Sequence, residues 1–307
     1  TNQPPTAVIA WDVAQGFAKI VCARHTALNG DGDAKEVLKL LAPLLPGFVP
    51  YLSTWEAIAR SEVSPAVFGV VTDRHFNGTL TWSLLQRLAK VDGETRRTLE
   101  GWLAQRQRTF ATADGSDLAA LRHDCYQAYH DLVYPAVRRA APNVLLFGQV
   151  LGPSLLNDRD IVAYLCRDID VVTVSLISHW LEDSTQLQHI AHQLGRPLWI
   201  DSFYAKGADS GLPNRDGNGL EVATQADRGR FYQHLALLLL ESRVVIGWQW
   251  YRFEDVGEGP FRTLADYNSN KGVVSPTFVP HEPLLKAMAE VNRARYAICD
   301  YLDHTAP

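Results

Sequence analysis

Eight short apolar runs, many of them β-branched, are what most constrains how this chain can fold. They are TAVIAWDV (6–13), AKIVCAR (18–24), GFVPYLS (47–53), AVFGVVTD (66–73), NVLLFGQVL (143–151), DVVTVSLI (170–177), PLWIDSF (197–203) and VVIGWQWY (244–251). Between them lie longer stretches with helical spacing, at 33–45, 81–110, 117–141 and 224–241. Buried strands alternating with helices point to an α/β fold with a parallel sheet. Eight of them predict a (β/α)8 barrel of the TIM type, a single domain over 1–307. The first quarter is short for that plan. A βαβ unit takes ~30 residues or more, whereas only AQGF separates the first two runs. Residues 1–47 are therefore expected to be atypical, either a hairpin or an irregular start to the barrel.

Composition narrows the function classes. The chain of 307 residues carries a net charge of −5 with no basic run, so neither nucleic acid nor an anionic membrane is an expected partner. The longest apolar stretch, within HLALLLLESR, is too short to span a bilayer. Cys22, Cys125, Cys166 and Cys299 are far apart with no CxxC pair, and are read as buried thiols. The opening TNQPPT lacks Met, and reads as a frayed, Pro-rich end rather than as a presentation of Thr1 as a nucleophile. Compartment is left open.

In barrels of this kind the chemistry sits at the C-terminal ends of the strands. Asp73, Arg74 and His75 stand at the end of the fourth run, Ser175 and His179 at the end of the sixth, Asp201 and Ser202 at that of the seventh, and Trp248, Gln249 and Trp250 at that of the eighth. Charged side chains at the end of a buried strand destabilise it unless paired or used. NGDGD (29–33) lacks the remaining ligands of a calcium loop and reads as a helix-capping turn. His189 and His192 fall in a helical stretch and face solvent or packing. GADSGLPNRDGNG (207–219) has the composition of a mobile lid.

The C-terminal third carries a longer pattern. FYAKGADSGLPNRDGNGLEVATQADRGRFYQHLALLLLESRVVIGWQWYRFED, then SNKGVV and EPLLKAMAEVNRARYAICDYLD, resembles glycoside hydrolase family 50, the β-agarases. The similarity is dense from Trp199 to Asp303, thinner from Phe48 to Val150, and absent before that. It implies a (β/α)8 barrel and retaining cleavage of β-linkages in agar galactans. It also implies where two catalytic glutamates should stand. Against a family pattern like GYFxDNE this chain has FGVVTDRH, with Arg74 at the Asn and His75 at the acid/base Glu. Against TEFYxKG it has IDSFYAKG, with Ser202 at the nucleophile. Gln249 replaces a family His in GWQWY, while Ser175 and Ile177 replace Asn and Tyr, and Val150 an Arg.

Retaining hydrolysis needs two carboxyl groups ~5 Å apart, and serine is a poor glycosyl nucleophile without activation. Three readings follow. In the first, His75 acts in acid–base or dyad chemistry with Ser202, Asp73 or Asp201 orients it, and Arg74 holds an oxygen of a sugar-like or polyol-like compound, with no cofactor. The second is a pseudo-glycosidase that binds a saccharide or a partner without turnover. The third is a metal site on Asp73, His75, His179 and Asp201. Substrate contacts are expected from Asp201, Trp248, Gln249, Trp250, His179, Ser175, Tyr204, Lys206 and Glu254, with Asp255 a further acid in the same loop. Oligomeric state is open.

Overall fold

The computed structural model describes residues 7–28, 30–74, 80–152, 156, 158–214, 218–257 and 268–305. The chain divides into two compact units, Thr1–Thr173 and Val174–Pro307, and passes from one to the other within a strand.

In the first unit, β1 (Ala7–Trp11), β2 (Val67–Thr72) and β3 (Leu145–Leu151) pair in parallel in that order. Helices α1 (Val13–Arg24), α2 (Gly32–Leu41) and α3 (Phe48–Glu62) connect β1 to β2. Helices α4 (Trp82–Val91), α5 (Gly93–Gln105) and α6 (Gly115–Ala140) connect β2 to β3, and α7 (Arg159–Leu165) follows. Two expected strands are thus helices, and no N-terminal hairpin forms. AKIVCAR lies inside α1, whose buried residues Val13, Ala14, Phe17, Ala18, Val21 and Cys22 recur with helical spacing. A seven-residue window is too short to show that period. GFVPYLS opens α3, with Pro50 in the first turn, where no N–H partner is lost. The stretch 81–110 breaks at Asp92, whose extended backbone and side chain cap α5 by accepting from Thr95 N at 2.7 Å. Asp31 likewise caps α2, accepting from Ala34 N at 2.9 Å, as the reading of NGDGD anticipated.

In the second unit, β4 (Val172–Ser175, begun in the first unit), β5 (Leu198–Phe203) and β8 (Val245–Trp250) are neighbours, the last two parallel. A small parallel pair, β6 (Ala205–Gly207) with β7 (Leu220–Val222), brackets the Gly-rich loop. Helix α8 (Thr185–Leu194) ends on Gly195 at φ +61°. Helix α9 (Gln225–Ser242) starts in a Thr224/Asp227 capping box and packs along α10 (Glu282–Thr305). Among the described residues no single helix is long and apolar enough to cross a membrane. Cys22, Cys125 and Cys166 are buried, Cys299 is half-buried, and none is in a disulfide.

Two bulges interrupt the strand ends. In β2–β3 the register runs Val70–Leu146 and then Val71–Gly148, so Phe147 is an extra residue in β3. In β5–β8 it runs Ile200–Trp248 and then Phe203–Trp250, so Asp201 and Ser202 stand opposite the single residue Gln249. Bulges re-aim side chains and collect beside active sites.

Candidate functional site

In the first unit, Asp73 follows β2 at φ +39°, a left-handed conformation rare outside Gly, Asn and Asp. Its carboxyl group is fully buried and accepts three hydrogen bonds: Oδ2 from Ala14 N (2.9 Å) and Tyr129 Oη (2.8 Å), Oδ1 from Gln15 N (3.0 Å). It therefore caps α1 from a distant strand, at the positive end of the helix. The helix's own N-cap residue, Asp12, makes no side-chain cap bond and instead accepts from Arg74 N at 3.3 Å. Burial raises the Asp73 pKa to about 6, against the pull of the two amides, Tyr129 and the charge of Lys39. Burial, and then the neighbouring Asp73, raises the Tyr129 hydroxyl well above its ordinary value, which keeps it a donor. The carbonyl of half-buried Arg74 accepts from buried Lys39 at 3.1 Å, and Lys39 also pairs with Glu36 at 2.7 Å. His75 lies outside the described residues, and with it the expected juxtaposition of His75 and Ser202.

In the second unit, the bulge presents Asp201 and Ser202, both buried. Asp201 Oδ1 accepts from Gln249 Nε2 at 3.0 Å, and Ser202 Oγ lies 3.2 Å from Ser175 Oγ. Trp248 and Trp250 turn to α9. The Trp248 indole donates to Tyr232 Oη at 2.9 Å, and Trp250 donates to the Lys271 carbonyl at 2.7 Å and meets Phe203 edge-on. Both N–H groups are thus committed within the fold. Tyr204 stacks on Tyr251 at 5.0 Å and donates to the Asn218 carbonyl, while Lys206 donates to the Asn214 carbonyl at 3.1 Å. Together with Ser178 Oγ, which accepts from Gly219 N at 2.7 Å, these bonds tether the described part of the Gly-rich loop from both sides. The expected lid is anchored at 204–214 and 218–219. His179 is half-buried, one residue beyond Ser178, and Glu254 is exposed. Among the described residues no group of three His, Cys, Asp or Glu side chains converges as a metal site.

A second set of polar residues, of which the sequence reading named only Asp255, braces this end of the unit. Arg228 is fully buried and donates to Ala205 O (2.7 Å), Gln225 Oε1 (2.7 Å) and Gly272 O (2.8 Å). Burial lowers its pKa to about 10, opposed by the charges of Asp255 and Asp209. Asn270 accepts from Gly207 N (3.0 Å) and Gln225 Nε2 (2.8 Å) and donates to Asp255 Oδ2 (2.8 Å). Asp255 also accepts from Gly272 N (2.6 Å) and pairs with His281 Nε2 (2.7 Å). Burial pushes the Asp255 carboxyl group up, but His281, Gly272 N and Asn270 outweigh it and hold it below its ordinary range. Arg228, Gln225, Asn270 and Gly272 sit in TQADRGRFYQ and SNKGVV, so these segments of the resemblance serve as scaffold. Arg228 stands among other polar residues in QADRGR, so the sequence carried no local signal that this one is buried. Gly272 lies against the backbone of Glu254 and Asp255, where a Cβ would overlap both. The variant Gly272→Ala is expected to lose roughly 1–3 kcal/mol by urea denaturation.

No protein-family model matches the sequence, and no curated protein is significantly similar to it. The solved structure of BpGH50 superposes with a TM-score of 0.72 at 22% identity over 99% of this chain. The agarase AgWH50C gives 0.59 at 17% identity, and an exo-beta-agarase 0.59 at 20%, each over 84% of this chain. The fold is that of a TIM-type glycoside hydrolase. This likeness takes in nearly all of residues 1–47, where the sequence itself shows no resemblance. The glycosidase-fold chain spans 65% of the length of BpGH50 and 40% and 39% of the two agarases.

Proposed function

We propose that this protein binds a neutral galactan-type saccharide at its strand ends and does not cleave it by the retaining mechanism. One observation carries the reading. The β5 bulge, where the resemblance calls for a nucleophilic glutamate, presents Ser202, whose hydroxyl meets another hydroxyl, Ser175 Oγ, at 3.2 Å. Among the described residues of this unit no imidazole or carboxylate is hydrogen-bonded to it, so nothing there activates it as a nucleophile. The neighbouring carboxylate, Asp201, is held by Gln249. Asp201 with Gln249, and Ser175 with Ser202, are polar pairs of the kind that orient sugar hydroxyls. Calorimetric titration with neoagarohexaose is expected to show binding, and chromatography of the same mixture to show intact oligosaccharide. Release of shorter neoagaro-oligosaccharides would overturn the proposal.

A second reading is altered acid–base chemistry centred on His75 with Asp73, Arg74 and Ser202. It is favoured by Asp73, whose pKa of about 6 lets it change charge near neutral pH. That reading requires turnover of a sugar-like compound to disappear in His75→Ala, and unchanged turnover there would refute it.

A further inference from the structure

We propose that Gln149 is a hydroxyl-reading residue, aimed by the bulge in β3 at two adjacent hydroxyl groups of an uncharged sugar. The inference rests on the saccharide reading above and specifies which saccharides it admits.

β2 and β3 run in register as Gly69–Leu145 and Val70–Leu146, then as Val71–Gly148 and Thr72–Gln149. Strand side chains alternate, so one inserted residue reverses the facing of all that follow. Without Phe147 as the extra residue, Gly148 would stand beside Thr72. With it, Gln149 does, at the end of β3 where barrel folds place their chemistry. The turn depends on Gly148, which has φ +62° and where a Cβ would come to 3.0 Å from both Ile169 Cγ2 and Tyr134 Oη. Glycine meets the backbone demand and the steric one together.

Gln149 is 2% exposed, and among the described residues neither its Oε1 nor its Nε2 has a hydrogen-bond partner. A buried polar group left without a partner is destabilising, and most such groups in native proteins are paired. Methionine has similar bulk and would carry no such penalty, so packing does not explain a glutamine here. The unused bonding capacity identifies what does. A primary amide offers two donors and an acceptor side by side. Neighbouring sugar hydroxyls, each able to donate and accept, satisfy both ends at once. A carboxylate, sulfate or phosphate only accepts, which leaves Oε1 unpaired and facing negative charge. The ligand class is therefore an unsubstituted diol face rather than a uronate or a sulfated sugar.

The test compares the wild type with Gln149→Met in two measurements on the full chain: thermal unfolding without ligand, and calorimetric titration with neoagarohexaose and with sulfated and uronate oligosaccharides of equal length. The variant is expected to unfold at the same temperature or higher, and to bind neoagarohexaose about ten-fold more weakly or worse. A wild type that prefers the charged sugars overturns the ligand class. A variant that unfolds several degrees lower overturns the inference, because the amide then has partners inside the fold. A wild type that binds none of these sugars overturns the saccharide reading itself. One that binds neoagarohexaose no better than Gln149→Met does overturns this inference alone.

Discussion

Replacing Arg228 by alanine is expected to remove most of the stability of the C-terminal unit. The guanidinium group is fully buried and binds Ala205 O, Gln225 Oε1 and Gly272 O. Truncation strands three acceptors, the buried carbonyls of Ala205 and Gly272 and the half-buried Gln225 amide oxygen. Each buried acceptor left unsatisfied costs roughly 1–3 kcal/mol, so the combined loss is comparable to much of the net stability of an ordinary domain, about 5–15 kcal/mol. The check is urea denaturation followed by far-ultraviolet circular dichroism. Arg228→Lys keeps the charge but not the three-way fork, and is expected to fall between wild type and alanine. Equal midpoints for wild type and Arg228→Ala would mean that the network contributes nothing to folding.

Protonation of Asp73 is the second large effect, and its sign is opposite to that of most carboxylates. The folded-state value of about 6 lies above the ordinary 3.8, so the native state holds this proton more tightly than the unfolded chain does. The stabilisation is fully present below about pH 4 and is lost as pH rises through 6. At pH 7 the ionised group leaves the fold worse off by roughly 3 kcal/mol than at acid pH. Asp255 and Asp92 run the other way, because their depressed values withdraw stability on acidification. The total profile therefore mixes signs, and the difference between wild type and Asp73→Asn isolates the term. That difference is expected to shift by roughly 3 kcal/mol in favour of wild type between pH 7 and pH 4. A constant difference across that range would show that Asp73 titrates as it does in the unfolded chain.

The strands that the sequence made legible are those whose apolar run is bounded by turn residues and followed by polar rim groups, as in VVTDR and WIDSF. The first quarter misled because local composition outweighed period: KIVC has strand composition, yet its burial follows the period of α1. Asp73 was legible as a buried charge at a strand end. Its role as the cap of α1 was not, since Ala14 and Gln15 lie 59 and 58 residues away in the chain. Trp248 and Trp250 read as substrate contacts at a strand end, but only the positions of Tyr232 and Lys271 show that both indole N–H groups are engaged within the fold. Bulges escape pattern reading altogether, since one inserted residue leaves hydrophobicity and length almost unchanged while reversing every later side chain.

That last property bears on which side chain the end of a strand presents. At the end of β5 the chain holds one residue more than β8 needs, with Asp201 and Ser202 sharing the place opposite Gln249. Deleting a single codon there would remove this bulge and settle which of the two side chains stands opposite Gln249. The mutational distance between an alcohol and a carboxylate at this point is one residue of chain length, with no change to any other strand.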